Sequence, residues 1–576
     1  MSVRNTEIQA IFNQVADLIE IKGENPFRIR AYREAARIIG GMSEQMAKLV
    51  QERQDLTQYR GIGKDLAEKI REIVETGGLN FLDELKADLP QSLLEILAIP
   101  ELGPKKVAAL YHKLGVTTVE ELKTAAENGK IAQLDGFGSK SQEKILKSLD
   151  QFKKKSAKRM LLAEAEPVAA ALEAYMKAQE GIKQASIAGS FRRGKETVGD
   201  LDLLATCRRG YENQLMKAFV AFEDVARVDA QGRSKSSVHL RSGLQVDLRI
   251  VPQLSYGAAL HYFTGSKAHN VAVRKLAMEK GLKINEYGVY QDDKRIAGET
   301  EPAVYDAAGL CYIEPELREN MGEIESARVG ALPELIKISD IRGDLHAHTR
   351  RTDGTGSLEK MAEAAGKYGY EYLAITEHSQ KVAVAGGLNE KQVREHLADI
   401  DRVNEKINGI RLLKGMEVDI RSDGSLDLAD SVLKELDLTI CSVHYHQGLA
   451  ADKQTERIIR AMDNPWFKIL GHPSGRLINR REPMAIDLEA IIEAAGQRGV
   501  IIELNAQPDR LDLAHNYCKT AVERGVKLAI STDAHSPGNL KLMRNGVIEA
   551  RRGWVRCADV INTLGLKTLL QALNRD

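Results

Sequence analysis

Between residues 341 and 531 the chain repeats one rhythm seven times, a short apolar strand-like run and then, in most repeats, a helical stretch. The runs lie near 341–346, 371–376, 410–418, 437–443, 467–471, 499–504 and 526–531, and a helical segment at about 557–573 closes the chain. Strands separated by helices pair in parallel, because each crossover returns the chain to the same end of the sheet. Seven such units predict a distorted (β/α)7 barrel, with functional side chains at the C-terminal strand ends. Metal-ligating residue types collect there: Asp344 with His346 and His348 in GDLHAHT, Asp353 in RTDG, Glu377 and His378 in AITEHS, Glu417 in GMEVDI, His444 in CSVHYH, His472 in ILGHPSGR, and Asp533 with His535 in ISTDAHS. A lone strand-end histidine is usually a hydrogen-bonded core residue. Histidines that recur with the strand rhythm predict a multinuclear metal site instead. Two or three divalent ions held by mixed nitrogen and oxygen donors suit Mn²⁺, Zn²⁺ or Fe²⁺. Such ions generate hydroxide near neutral pH and polarise phosphoryl oxygens, so phosphoester hydrolysis is expected.

The first 150 residues have a helical period, broken at Gly and Pro. Three segments share one pattern: YRGIGKDLAEKI (59–70), IPELGPKKVAAL (99–110) and LDGFGSKSQEKI (134–145). Each sets a glycine (Gly63, Gly103, Gly138) before a helix start. Gly61 and Gly136 stand two positions earlier in the outer copies, and Glu101 departs from the pattern in the middle one. A tight turn between helices leaves backbone N–H groups free to face a phosphate. One copy is an ordinary helical hairpin, whereas three point to DNA. The segments resemble helix-hairpin-helix motifs, which grip the DNA backbone without reading sequence. A Lys-rich run, KKKSAKR (153–159), marks a boundary or a solvated helix face.

From about 182 short β-type runs mix with helices, predicting an α+β domain. In AGSFRRGKETVGDLDLL (188–204), Asp200 and Asp202 are two apart on a strand and share a face. Asp247, in QVDLRI, can bring a third carboxylate from a neighbouring strand. Three converging carboxylates call for hard cations, Mg²⁺ or Mn²⁺, which activate an attacking hydroxyl and stabilise a leaving pyrophosphate. Gly189 and Ser190 begin a phosphate-binding turn, and Arg193 offers a charged fork to the same triphosphate. With YFTGSKAHN (262–270) and KLAMEKGLKINEYG (275–288), this string resembles the family X DNA polymerases over residues 1 to about 318.

That resemblance implies metal ligands at Asp200, Asp202 and Asp247, and triphosphate contacts at Ser190 and Arg193. It implies a sugar pocket at Tyr262, Phe263 and Gly265, a base-edge contact at Asn270 and a template contact at Arg274. Lys267 is a cation where the vertebrate repair enzyme of the family carries an acid. We expect it to tighten nucleotide binding, which titration of Lys267→Ala tests. Lys69 aligns with the family's Schiff-base lysine for 5′-deoxyribose phosphate, and Arg28 and Tyr32 would hold the 5′-phosphate. Asp65 and Glu68 beside Lys69 favour a charged amine instead. Borohydride trapping on abasic DNA decides between them.

The rear half resembles the PHP (polymerase and histidinol phosphatase) domain over about 341–576. By that resemblance His346, His348, Glu417 and Asp533 hold one metal, Asp353, His378 and His535 a second, and Glu417, His444 and His472 a third. Glu377 supports from behind, where Asp is usual. Arg476 and Arg510 are placed near the same face for phosphate, and His396, His446 and His515 are structural.

The expected architecture is multidomain. An all-α helix-hairpin-helix region comprises a lyase-like domain (1–85) and fingers (86–155). A nucleotidyltransferase palm (156–255) and thumb (256–318) follow, then a linker (319–340) and the PHP barrel (341–576). The 82 basic and 82 acidic residues conceal an asymmetry, a net of +6 over residues 1–300 and −6 over the rest, so the neutral total does not exclude nucleic acid. Five scattered cysteines suggest reduced thiols in a cytoplasmic protein. No apolar stretch approaches a membrane span. The expected activity is short-gap filling in base excision repair on gapped or primed DNA with deoxynucleoside triphosphates, by a monomer. A 3′–5′ exonuclease, 3′-phosphatase or abasic endonuclease accompanies it in the barrel. The competing expectation is a histidinol-phosphatase-like enzyme with a vestigial polymerase half.

Overall fold

The computed structural model describes residues 3, 5–42, 44–59, 61–90, 93–97, 99, 102–134, 136–154 and 159–573. Glu101 and positions 155–158 of the Lys-rich run lie outside the described residues. The chain forms two compact units, 1–158 and 159–576.

The first unit is helical. Its three repeats share one backbone course. The N–H groups of Ile62, Leu102 and Phe137 donate to the carbonyls of Tyr59, Ile99 and Leu134 at 3.0, 3.2 and 3.0 Å. After these turns begin α1 (Lys64–Thr76), α2 (Pro104–Leu114) and α3 (Ser139–Lys154). Gly61 and Gly136 have φ of +88° and +82°, which a residue with a Cβ adopts only under strain. Ile62, Leu102 and Phe137 are buried and anchor the turns in one core.

The second unit opens with α4 (Leu162–Lys177) and a five-stranded palm sheet. Its strands are β1 (Ile182–Ile187), β2 (Asp200–Cys207), β3 (Val225–Gln231), β4 (Lys235–Leu240) and β5 (Gln245–Ile250), ordered β1-β2-β5-β4-β3. A four-residue helix, α5 (Gly189–Arg192), follows β1. The β2–β5 pair is parallel and the other three are antiparallel. In β5 the burial alternates along QVDLRI, apolar residues inward, as a half-buried strand requires. Helices α6 (Tyr256–Thr264), α7 (Lys267–Glu279) and α8 (Glu301–Ala308) build the thumb. The 319–340 connection is packed into it: Glu323–Arg328 is helical, and Ile324, Ala327 and Leu335 are buried in the thumb's core.

Seven parallel strands form the rear sheet in sequence order: β6 (Gly343–Asp344), β7 (Tyr372–His378), β8 (Arg411–Asp419), β9 (Leu438–Ser442), β10 (Ile469–Leu470), β11 (Ile501–Asn505) and β12 (Leu528–Ser531). A single parallel bridge, Ala347 to Ala534, joins the first and last segments and nearly closes the barrel. The runs expected at 341–346 and 467–471 shorten to two residues each. Helix α9 (Met543–Arg552) follows β12. The final helix, α10 (Leu566–Leu573), packs Leu569 and Leu573 against Leu345, Leu413, Ile440 and Ile501 of the barrel. Among the described residues no helix is long and apolar enough to cross a membrane.

Candidate active sites

In the palm, the register of β2 and β5 sets Asp202 directly opposite Asp247. Asp200 projects to the same side, two residues earlier. Gly189, at φ +66°, lies so close that an added Cβ would be 2.9 Å from Asp202 Oδ2. Burial, then the charges of Asp200 and Asp247, push the Asp202 carboxyl up to about 6. For Asp247 burial acts in the same direction, but Lys235, Ser237 and Gln245 outweigh it and hold the carboxyl below its usual range. Lys235 Nζ is 2.7 Å from Asp247 Oδ2. An oxygen-only donor set with mutually repelling carboxylates fits divalent cations. Lys235 was not legible as a partner, because basic residues on a strand are ordinarily solvated.

The two adjacent arginines diverge. Arg192 forms a two-point pair with Glu301 at 2.8 and 2.6 Å and donates to Thr264 Oγ1 at 2.7 Å. Arg318, fully buried, also reaches Glu301 at 2.6 Å. Arg193 instead pairs with Glu319 at 2.9 Å and donates to the Thr264 carbonyl at 2.5 Å. Ser190 lies between Gly189 and these arginines. Tyr262 and Phe263 meet edge to face at 5.1 Å, with the Arg249 guanidinium 4.5 Å above Phe263. Asn270 Nδ2 donates to the Tyr262 carbonyl at 2.7 Å, while its Oδ1 is buried without a partner. The Gly265–Ser266 peptide is cis, and Ser266 caps α7. Lys267 and Arg274 are exposed one heptad apart on that helix.

The barrel gathers all nine expected ligands. Ligand atoms fall within 4.8 Å of one another in three groups: His346, His348 and Asp533; His348, Asp353, His378 and His535; and His378, Glu417 and His444. His472 Nε2 joins through Glu417 Oε1 at 2.9 Å. Compared with the expected partition, His348 and His378 are shared between neighbouring groups. His348 Nδ1 is buried without a hydrogen-bond partner, and His378 Nδ1 lies 2.9 Å from Glu417 Oε2 without hydrogen-bond geometry. Buried imidazole nitrogens facing carboxylate oxygens in this way fit shared divalent cations. Burial opposes ionisation of Glu417, yet the surrounding histidines hold it far below the carboxylate range. Burial likewise acts against protonation of His378 and His444, but Glu417 outweighs it, raising them to about 10 and about 9. Burial pushes His348 down to about 4.

Three supporting acids complete the cluster. Glu503 accepts from His346 Nδ1 at 2.7 Å and from the His472 N–H at 2.7 Å. Asp419 lies 3.2 Å from His444 Nδ1. Glu377 accepts from the Thr349 N–H at 3.0 Å and from the Thr352 hydroxyl. Sequence reasoning missed Glu503; the available signal was an acid inside the apolar run IIELN. Arg510 Nε lies 3.9 Å from Asp533 Oδ2. Arg476 is engaged elsewhere, by Glu196 at 2.6 Å, the Arg510 carbonyl at 2.8 Å and the Leu511 carbonyl. His515 pairs with Glu549 at 3.0 Å, and His396 is buried.

In the first unit, an added Cβ on Gly63, Gly103, Gly136 or Gly138 would meet nothing within 4 Å, so the turns are open there, whereas one on Gly61 would lie 2.6 Å from Ile38 Cδ1, so the first turn is packed on that side. Lys69, Arg28 and Tyr32 converge on the Phe81 ring. Arg28 lies 4.5 Å and Lys69 Nζ 5.8 Å from its centroid, and Tyr32 stacks on it at 6.3 Å. Lys69 is ion-paired to Asp65 and Arg28 to Glu24 at 2.7 Å.

Family profiles match this arrangement in order. They are a helix-hairpin-helix domain (3–79), a SAM-like helix-hairpin-helix tandem (93–151), a DNA polymerase beta palm (159–243), a DNA polymerase beta thumb (259–319) and a PHP domain (344–507). A Bacillus subtilis protein described as DNA polymerase/3′-5′ exonuclease PolX is 38% identical over 577 residues, covering 99% of both chains. The chain belongs to the family X DNA polymerases that carry a PHP domain. Rat DNA polymerase lambda is 26% identical over 300 residues, 47% of this chain and 50% of that one. A probable phosphatase of Thermoanaerobacter sp. is 32% identical over 203 residues, 33% of this family X chain and 78% of its own.

Proposed function

We infer that this chain is a DNA polymerase that fills short gaps in primed DNA during repair, and that its barrel removes 3′-terminal nucleotides. The observation that carries the reading is the palm register, which seats Asp202 against Asp247 with Asp200 on the same side, in a chain that also holds an eight-residue ligand cluster joined by His472. Asp200, Asp202 and Asp247 would hold Mg²⁺ or Mn²⁺, and the barrel ligands Mn²⁺, Zn²⁺ or Fe²⁺. Bound divalent cations supply a nucleophile near neutral pH and neutralise charge on the reacting phosphate.

The chain's own residues do the rest. The Gly189 and Ser190 turn and Arg193 receive the triphosphate. Tyr262, Phe263 and Gly265 wall the sugar, Asn270 faces the base edge, and Arg274 reaches toward the template. Lys267 adds charge beside the nucleotide. The open glycine turns bind the DNA backbone through N–H groups. In the barrel, Glu503 and Asp419 fix the His346 and His444 rings, so each presents its other nitrogen to the cluster. Arg510 stands at the rim for phosphate.

The two reactions should separate. Asp202→Ala abolishes nucleotide addition to gapped DNA and spares removal from a 3′-labelled end, while His346→Ala does the reverse. Loss of both activities from either substitution, in a chain that still unfolds cooperatively, overturns the two-site reading. A barrel that hydrolyses histidinol phosphate, in a chain inert on primed DNA, would restore the phosphatase alternative.

A further inference from the structure

Gly194 follows Arg193, and two other parts of the second unit converge on it. A Cβ built there would lie 2.4 Å from Ile548 Cγ2, 3.6 Å from Arg552 Cδ and 3.9 Å from Glu316 Cγ, at a φ of +66°. Ile548 and Arg552 belong to α9 of the barrel and Glu316 to the thumb. Ile548 packs onto the palm's hydrophobic core. Ion pairs flank this point. Arg551 of α9 holds Glu316 at 2.7 Å, and Arg476 of the barrel holds Glu196, two residues beyond Gly194, at 2.6 Å. These four side chains are each less than a quarter exposed, so solvent and salt screen the pairs little.

Arg193 is therefore set from two sides. Its own loop is gripped at Gly194 and Glu196. Its partner Glu319 lies three residues beyond Glu316, which Arg551 grips. Close-packed interiors transmit displacement rather than absorbing it, so movement of α9 moves the Arg193 guanidinium.

We propose that the barrel is a positioning element for nucleotide binding in the palm, with Ile548 and Arg551 as positioning residues that aim Arg193 at the triphosphate. The proposal rests on the polymerase reading above. It assigns the barrel a role in synthesis that is independent of its own hydrolysis.

The test uses the full chain and a double-mutant cycle. Ile548→Ala removes the wall and Gly194→Ala presses against it. Each should raise KM for the incoming nucleotide on a one-nucleotide gap about 5-fold or more, with kcat within about 2-fold, as expected when binding alone is lost. In the double variant the new methyl fills the space vacated by Ile548, and KM should recover by about 3-fold or more relative to Gly194→Ala, the coupling expected of residues in contact, while the steady kcat and hydrolysis separate positioning from loss of fold. Arg551→Met should raise KM in the same direction. Hydrolysis of bis(p-nitrophenyl) phosphate with Mn²⁺ should be unchanged throughout. Should Ile548→Ala fail to fold, Ile548→Val carries the same sign with a smaller effect. Unchanged KM in these variants, or a Gly194→Ala defect that the second substitution leaves in place, overturns the proposal. A wild-type chain that adds no nucleotide overturns the polymerase reading instead.

Discussion

Gly189 presses its backbone against the proposed metal ligand Asp202, which makes the smallest substitution there informative. In Gly189→Ala the new Cβ would lie 2.9 Å from Asp202 Oδ2, against 3.4 Å for ordinary contact, so the carboxylate must retreat about half an ångström. Asp202 sits directly opposite Asp247 on the paired strand, so any retreat changes the spacing of the two carboxylates. Misplacement of about 1 Å costs on the order of 10²-fold in rate, so half that shift should cost about 10-fold. The left-handed backbone adds about 1–2 kcal/mol of strain for a residue with a Cβ. We therefore expect kcat for single-nucleotide gap filling to fall about 10-fold, with KM for the nucleotide changing less and half-maximal rate requiring more Mg²⁺. Single-turnover extension reads the first, and hydrolysis at the barrel in the same preparation controls for folding. A rate within about 2-fold of wild type across the Mg²⁺ range would refute the reasoning, because Asp202 would then not depend on a bare backbone at 189.

The palm–thumb ion cluster predicts a pH-dependent stability. Burial works to raise the Glu301 carboxyl, but Arg192 and Arg318 outweigh it and hold it at about 2, below its ordinary 4.5. The contribution, about 3 kcal/mol, is present above about pH 4.5 and is lost as pH falls through about 2. Glu301→Gln should lower the unfolding temperature of the second unit at pH 7, and the gap from wild type should narrow below about pH 4. A gap that stays constant from pH 7 to pH 3 would contradict the assignment. Glu503→Gln, which loosens His346 and His472, should weaken metal retention or hydrolysis about 10–100-fold and leave nucleotide addition intact; a metal titration showing no change would remove Glu503 from its supporting role.

Much of this architecture was legible in short stretches. Period two on a strand shows that Asp200 and Asp202 share a face. The recurrence of histidine at strand ends marked the barrel's active rim, because a parallel barrel sends every strand to the same side. A left-handed backbone selects glycine at 61 and 136, whereas Gly63 and Gly103 have ordinary negative φ and were legible only from the repeat. Other features had no local signature. Nothing in RR tells which arginine turns to Glu301, 109 residues away, and which to Glu319. Arg476, in a histidine-bearing loop, reads as a phosphate ligand until the fold delivers Glu196 from 280 residues upstream. Glu503 and Asp419 read as ordinary strand acids until the barrel closes around them.

The sequence by itself determined most of the elements and which donor residues stand at strand ends, because periodicity and donor chemistry are properties of a few consecutive residues, and its motifs carried the resemblance to the family. Only the tertiary structure decided which charges face each other and which wall stands behind Gly194. Those pairings depend on strand register and on the docking of the barrel against palm and thumb, and both are set by packing between segments that share no local sequence.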